Sequence, residues 1–266
     1  MDHGHQSRAM IATSSFAGAR LVAALTLLAA ALTADSSAQP DATEPAEDAE
    51  FYFVRLAYSS SGLFFQRRER WLTDWPDAER YLLGGLRRLT RIKAARDGIY
   101  LTVMDERLFD YPWIYAVEVG GWDLSEMEAE RLRDYLLRGG FLMVDDFHGS
   151  REWAGFVEGM RKVFPDRTIV DVPSDDPIFH VAYDLNDRSQ IPGIQFVYTG
   201  VPYEQDGFEP QWRGIYDDHG RLMVIINFNM DLGDAWEHAD VPEYALQYTT
   251  RAYQYAINYI LYAMTH

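Results

Sequence analysis

From Phe51 onward, apolar runs of strand length alternate with segments whose apolar residues recur at helical spacing. "FYFVRLAYS" (51–59) is dense in aromatic and aliphatic residues and predicts a first strand. After a long connection, Pro76 stands at a favoured first-turn position, and Leu82, Leu86 and Leu89 follow on one helical face. "IYLTVMD" (99–105) and "WIYAVEVGG" (113–121) predict the second and third strands. Ser125 and Glu128 form an S-x-x-E capping box; Leu132, Tyr135 and Leu136 line the helix it opens, and Gly139 ends it in the left-handed position. "FLMVDD" then predicts a fourth strand, whose continuous apolar run implies cover on both faces. A helix over 151–165 stops before Pro165, and "TIVDVP" (168–173) predicts a short strand.

The second half reads as more antiparallel. "IQFVYTG", "RGIYDDHG" and "RLMVIINFN" predict strands, the last two joined by a hairpin-like turn at Asp218, His219 and Gly220. A closing helix is predicted from about Pro242 to Met264. Its tyrosines (Tyr244, Tyr248, Tyr253, Tyr255, Tyr259, Tyr262) are expected to pack on the sheet with wet hydroxyls rather than to form a binding box. Strand–helix alternation implies right-handed crossovers and a three-layer α/β domain with a mostly parallel sheet and some antiparallel strands near the C-terminus.

In such sheets ligands bind beyond the carboxyl ends of the strands. Here the predicted strands end in acids: Asp105, the pair Asp145 and Asp146, Asp171, then Asp231 and Asp234. If the strands are parallel, these groups gather at one edge, where like charges raise one another's pKa or recruit a cation. Asp is also an ordinary turn residue, which is the plainer explanation for any single one. Successive strand residues face opposite ways, so Asp145 is expected to pin the following loop while Asp146 or His148 faces the cleft. Candidate ligand-binding residues are Asp105, Gly120, Gly121, Asp145, Asp146, His148, Asp231 and Trp236, the glycine pair being placed to let a ligand approach backbone amides. Candidate metal ligands are Asp145, Asp146 and Asp231, with His148, His180 and His238 as imidazoles that could join them. Candidate catalytic residues are Asp146, His148, Asp231 and Asp234. Trp75, Trp113, Trp122, Trp153 and Trp236 would suit sugar faces if they flanked the acidic edge. H-E-x-x-H, G-x-S-x-G, P-loop and G-x-G-x-x-G patterns do not occur.

Composition narrows the choice. A formal net charge of -17 disfavours nucleic acid and suits cations, neutral sugars or basic protein partners, or serves solubility alone. The chain has no cysteine, which removes disulfides and thiolate nucleophiles. Leu21 to Leu32 is apolar but too short to span a bilayer, and small residues Ser36 and Ala38 follow. The expectation is a signal peptide over 1–38, with a periplasmic or secreted mature chain; an uncleaved anchor is the alternative. Residues 39–50 read as a disordered acidic linker and 51–266 as a single domain.

"YP-x-x-Y" at Tyr111, Pro112 and Tyr115, "LR-x-YL-x-x-GGFL-x-x-DD" ending at Asp145 and Asp146, and "D-x-G-x-x-W" at Asp231, Gly233 and Trp236 occur in the order expected of one family. The chain resembles the domain-of-unknown-function 4159 family over about 51 to 264. The resemblance implies a flavodoxin-type, class I glutamine-amidotransferase-like fold, related in shape to trehalose-utilisation-type domains. It also implies a bacterial envelope protein, often found beside AAA-type ATPases and von Willebrand A domain proteins. Amidotransferases of this fold use a cysteine on a strand-to-helix elbow; this chain has none, so glutaminase chemistry is excluded.

The leading expectation is therefore an exported, non-catalytic ligand-binding or assembly module with an acidic cleft and no cofactor beyond a divalent cation. The rival is a carboxylate- or metal-dependent hydrolase acting on a sugar or another polar envelope substrate.

Overall fold

The structure is a computed structural model that describes residues 48–60 and 69–266. The expected signal peptide and residues 39–47 of the expected linker lie outside the described residues. Strands β1 (Val54–Ala57), β2 (Ile99–Thr102), β3 (Trp113–Val117), β4 (Phe141–Asp145), β5 (Val170–Asp171), β6 (Gln211–Tyr216) and β7 (Leu222–Phe228) form one sheet in the order β2-β1-β3-β4-β7-β6-β5. The pairs among β2, β1, β3, β4 and β7 are parallel, whereas β6 runs antiparallel to both β7 and β5. The α/β class, the mostly parallel sheet and the antiparallel C-terminal hairpin are as the sequence predicts.

Alternation along the strands splits the core in two. Trp113, Tyr115, Val117, Phe141 and Met143 face α1 (Asp77–Leu89), α5 (Leu232–Glu237) and α6 (Leu246–Thr265). Ile114, Ala116, Leu142 and Val144 face α2 (Glu126–Leu137) and α3 (Gly149–Val163). All five residues of β4 are buried, which is why its sequence is continuously apolar up to Asp145. Helix α2 starts at Ser125, where both bonds of the capping box are made, and Gly139 follows its end at φ 112°.

Three expected elements need correction. "IQFVYTG" is a short helix, α4 (Gln195–Thr199), closed by Gly200 in the left-handed conformation at φ 69°. Its β-branched and aromatic composition suits a strand, but strand preference is a matter of context, and no strand of the sheet pairs with it. The closing helix starts at Leu246 rather than near Pro242, because Tyr244 sits in a turn onto Val241 and donates its hydroxyl to the Pro192 carbonyl at 2.5 Å. The third strand stops at Val117, since Glu118 turns left-handed at φ 58° and Val119–Gly121 form a 3-10 turn. The C-terminal tyrosines do pack on the sheet, yet hydroxyls expected to be wet bond to protein: Tyr259 to Asn227 at 3.1 Å and Tyr253 to the Tyr81 carbonyl at 2.8 Å.

Candidate functional site

The first crossover runs from β1 to β2 on one side, and the next strand, β3, lies on the other side of β1. That reversal is the topological switch point of a doubly wound sheet, where the connections leaving neighbouring strands part and open a crevice. Backbone strain concentrates along the carboxyl edge of the same sheet. The non-glycine residues at positive φ among those described are Asp74, Glu118, Asp146, Gln205 and Asn229. Four lie in the connections that leave β1, β3, β4 and β7, and the fifth, Gln205, donates to Glu152 on α3 at 2.7 Å. Each such residue costs about 1–3 kcal/mol, so strain gathered in one place marks a geometry the fold holds against its local preference.

Asp145 ends β4 fully buried. Its Oδ2 accepts from the Tyr115 hydroxyl at 3.0 Å and from the Leu232 and Gly233 amides at 2.8 and 3.1 Å. Asp145 therefore pins a loop, as expected, but it is the one after β7 that opens α5, not the one that follows Asp145. Burial, with the charge of Asp146 beside it, pushes its carboxyl up to about 8 despite those three bonds. Its other oxygen, Oδ1, is buried without a hydrogen-bond partner.

The strand has ended by Asp146, whose φ of 48° frees its side chain from the alternation of β4. Asp146 Oδ1 lies 3.2 Å from His148 Nε2, and Glu204 Oε1 lies 3.9 Å from the same nitrogen. Burial opposes charge on His148, but Asp146, Glu204 and Glu152 outweigh it and hold the imidazole above its usual pKa. Asp231 is the N-cap of α5 and accepts from the Asp234 amide at 2.8 Å. Burial first, then Asp146, Asp234 and Asp74, raise the Asp231 carboxyl far above the normal range. Asp74 behaves likewise, through burial and the charges of Asp146 and Asp234, although Arg55 opposes the rise. Asp234 is the exception. Burial pushes it up, but bonds from His238 and from the Ile194 amide bring it below the ordinary value.

One carboxylate oxygen from each of Asp74, Asp146 and Asp231 lies within 4.8 Å of the others. The same holds for Asp146, His148 and Glu204, and for Asp234, Glu237 and His238. Asp146 belongs to the first two sets, so two adjacent seats share one carboxylate. The donors are hard oxygens with one imidazole, a set that suits magnesium, calcium or manganese and admits zinc at the histidine end. Asp74 Oδ2 is buried and has no hydrogen-bond partner.

The remaining candidates fall elsewhere. Asp145 belongs to none of the three sets; Asp74 takes the place expected for it. Asp105 follows β2 at the same edge, but Arg107 holds its carboxylate at 2.8 and 3.0 Å and it caps a 3-10 turn. Asp171 is exposed on the edge strand with Arg213, and His180 bonds Asp184 at 2.9 Å. Gly120 makes its close approach to α3 rather than to a ligand, since a Cβ there would overlap Glu152; Gly121 is buried in the same 3-10 turn. Trp236 and Trp113 are fully buried, Trp122 nearly so, and Trp153 stacks on Phe147, so these tryptophans build the core rather than a sugar platform. Asp74 and Glu204 come from irregular connections, where no periodic pattern points at them. Arg55, buried in β1, donates to Glu79 and to the carbonyls of Trp71 and Thr73, fixing the turn that carries Asp74.

The signature residues have local explanations. Tyr115 holds Asp145, Asp231 caps α5, and a Cβ at Gly233 would overlap Asp74 Oδ2. Trp236 packs its ring against Phe53 and Tyr115 at 6.3 and 5.7 Å. A search of the curated proteins finds no match. The family described as "Domain of unknown function (DUF4159)" matches residues 52–264. With nearly all of the α/β domain inside that match, the chain belongs to the DUF4159 family.

Proposed function

We propose that the protein is an exported module that holds a divalent cation at the carboxyl edge of its sheet and uses it to bind a polar, oxygen-bearing ligand or partner. The observation that carries this reading is the convergence of Asp74, Asp146 and Asp231 within 4.8 Å, two of them with carboxyls driven far above their usual range. Without a cation such a trio holds protons; with one, the repulsion becomes attraction. Export rests on the apolar leader at Leu21 to Leu32 and the small residues after it. The strand order at the switch point supports the amidotransferase-like shape that the family resemblance implies. By the same resemblance, the partners are envelope proteins of an AAA-type ATPase and von Willebrand A domain system.

A second reading, a metal-dependent hydrolase, is favoured by one observation. His148 lies in hydrogen-bond reach of Asp146 and near Glu204, so a general acid or base stands beside the trio. Thermal melting separates the readings from a purely structural one. Cation at about a hundredfold its Kd adds about 2.7 kcal/mol, a rise of about 5–10 °C for a domain of this size. Asp231→Asn removes most of that rise. Hydrolysis of a phosphate ester or a glycoside that vanishes in His148→Ala, with the melting shift intact, selects the hydrolase. If no cation among magnesium, calcium, manganese and zinc shifts the melting, both readings fall.

A further inference from the structure

Given the cation reading above, on which this rests, we propose that the ligand is a neutral saccharide held at the cation through two neighbouring hydroxyls, and that the site rejects phosphates and carboxylates. Doubly wound sheets commonly hold anions on the amides that open their helices. Here those amides serve the chain's own acceptors. The His148 amide donates to Glu152 Oε2 at 2.7 Å, the Gly149 amide to Asn229 Oδ1 at 3.0 Å and the Ser150 amide to Asp206 Oδ1 at 2.8 Å. At α5 the Leu232 and Gly233 amides go to Asp145 and the Asp234 amide to Asp231. The guanidinium of Arg55 is held by Glu79 and two carbonyls, and that of Arg70 is paired with Glu118, just after β3. An incoming anion would have to displace one of these acceptors.

Acceptors, by contrast, are plentiful. The three clustered sets hold the carboxylates of Asp74, Asp146, Glu204, Asp231, Asp234 and Glu237 against two imidazoles. Asp74 Oδ2 is buried with no hydrogen-bond partner; a Cβ at Gly233 would overlap it and lie 3.5 Å from Asp231 Oδ1, so this oxygen faces the trio. One divalent ion leaves such a cluster negative, and a second anion would meet like charge there. A hydroxyl suits both the ion and its surroundings: its oxygen gives a lone pair to the ion while its proton goes to a carboxylate. Calcium takes about 6–8 oxygens, so three carboxylates leave room for a chelating pair of hydroxyls. Glu204, its side chain 39% exposed beside His148, is placed to accept one of their protons. Chelation of this kind needs no aromatic platform, in keeping with Trp113 and Trp236 lying in the core.

The test presents the protein, loaded with calcium or manganese, to an array of neutral, sulfated, phosphorylated and uronic-acid glycans, while calorimetry on the same preparation measures cation binding. Neutral glycans should be retained, with a loss of about tenfold or more on chelation and in Asp146→Asn. Periodate treatment of the array, which cleaves vicinal diols, should abolish retention. Glu204→Gln should weaken it about fivefold, the worth of one hydrogen bond, with the cation still bound. A cooperative melting transition in chelator shows that both variants are folded. Retention of anionic glycans alone, retention that survives periodate or chelation, or no retention by protein that holds its cation overturns the inference and leaves the cation reading standing. Absence of cation binding in the calorimeter overturns both.

Discussion

Tyr115 and Asp145 lie on adjacent parallel strands, and the phenol of one donates to Oδ2 of the other at 3.0 Å. The same oxygen takes the first two amides of α5, so a single buried carboxylate joins the core of the sheet to the helix that presents Asp231. Tyr115→Phe removes one of three donors and is expected to cost about 1 kcal/mol. The check is a lower urea midpoint at an unchanged m-value; an unshifted midpoint means that the bond does not hold α5 in place.

Stability should fall as pH rises through neutrality. Asp145 has a folded pKa of about 8 against roughly 4 in the unfolded chain. The folded state therefore binds more protons between those values, and stability is lost progressively from about pH 4 to pH 8. Asp74, Asp231, His148 and His238 are also raised and act in the same direction. Chelator-treated protein is expected to unfold at higher urea at pH 5 than at pH 8.5, and Asp145→Asn to flatten that slope. A rise in stability with pH over this range would contradict the assignment.

Gly233→Ala places a methyl against Asp74 Oδ2 and near the Tyr115 hydroxyl. Overpacking of this kind costs about 1–3 kcal/mol. Because it pushes α5 away from Asp74, cation affinity should fall by more than tenfold while the sheet core persists. Thermal melting with and without manganese measures both effects.

Arg55 and Glu79 form an ion pair from which solvent is excluded. Glu79→Gln leaves the guanidinium partly unpaired and is expected to cost about 3–5 kcal/mol. It also loosens the turn at Trp71 and Thr73 that carries Asp74. Arg55→Lys keeps the charge but not the fork whose Nε meets Glu79 while Nη1 meets the Trp71 and Thr73 carbonyls, so it should lower stability as well. Urea unfolding of the two variants and their double mutant gives the coupling between them.

The parallel core was legible because strands buried on both faces are mostly apolar, as in Phe141–Val144 of β4 and Leu222–Ile226 of β7. Their acidic ends were legible for the same reason: Asp145 and Asp146 close the apolar run of β4, and Asp231 follows the mostly apolar run of β7. Asp74 and Glu204 were not, because their place depends on how long irregular connections cross the sheet edge, and spacing carries no trace of that path. "IQFVYTG" misleads because strand-like composition reports only how well side chains would fit a sheet, and pairing is decided by tertiary context that sequence does not display. The tryptophans mislead for a related reason. The largest apolar rings fit a sugar or a core equally well, and the two-sided sheet claims Trp113 and Trp236 for the core.

The most direct test is calorimetric titration of the chelator-treated protein with manganese at pH 7, in two buffers of different ionisation enthalpy. The account predicts saturable binding with net proton release, since carboxyls raised by burial and by neighbouring charge must ionise to coordinate, and loss of that binding in Asp146→Asn. Absence of binding heat for manganese, or binding that survives Asp146→Asn with no proton released, would contradict it.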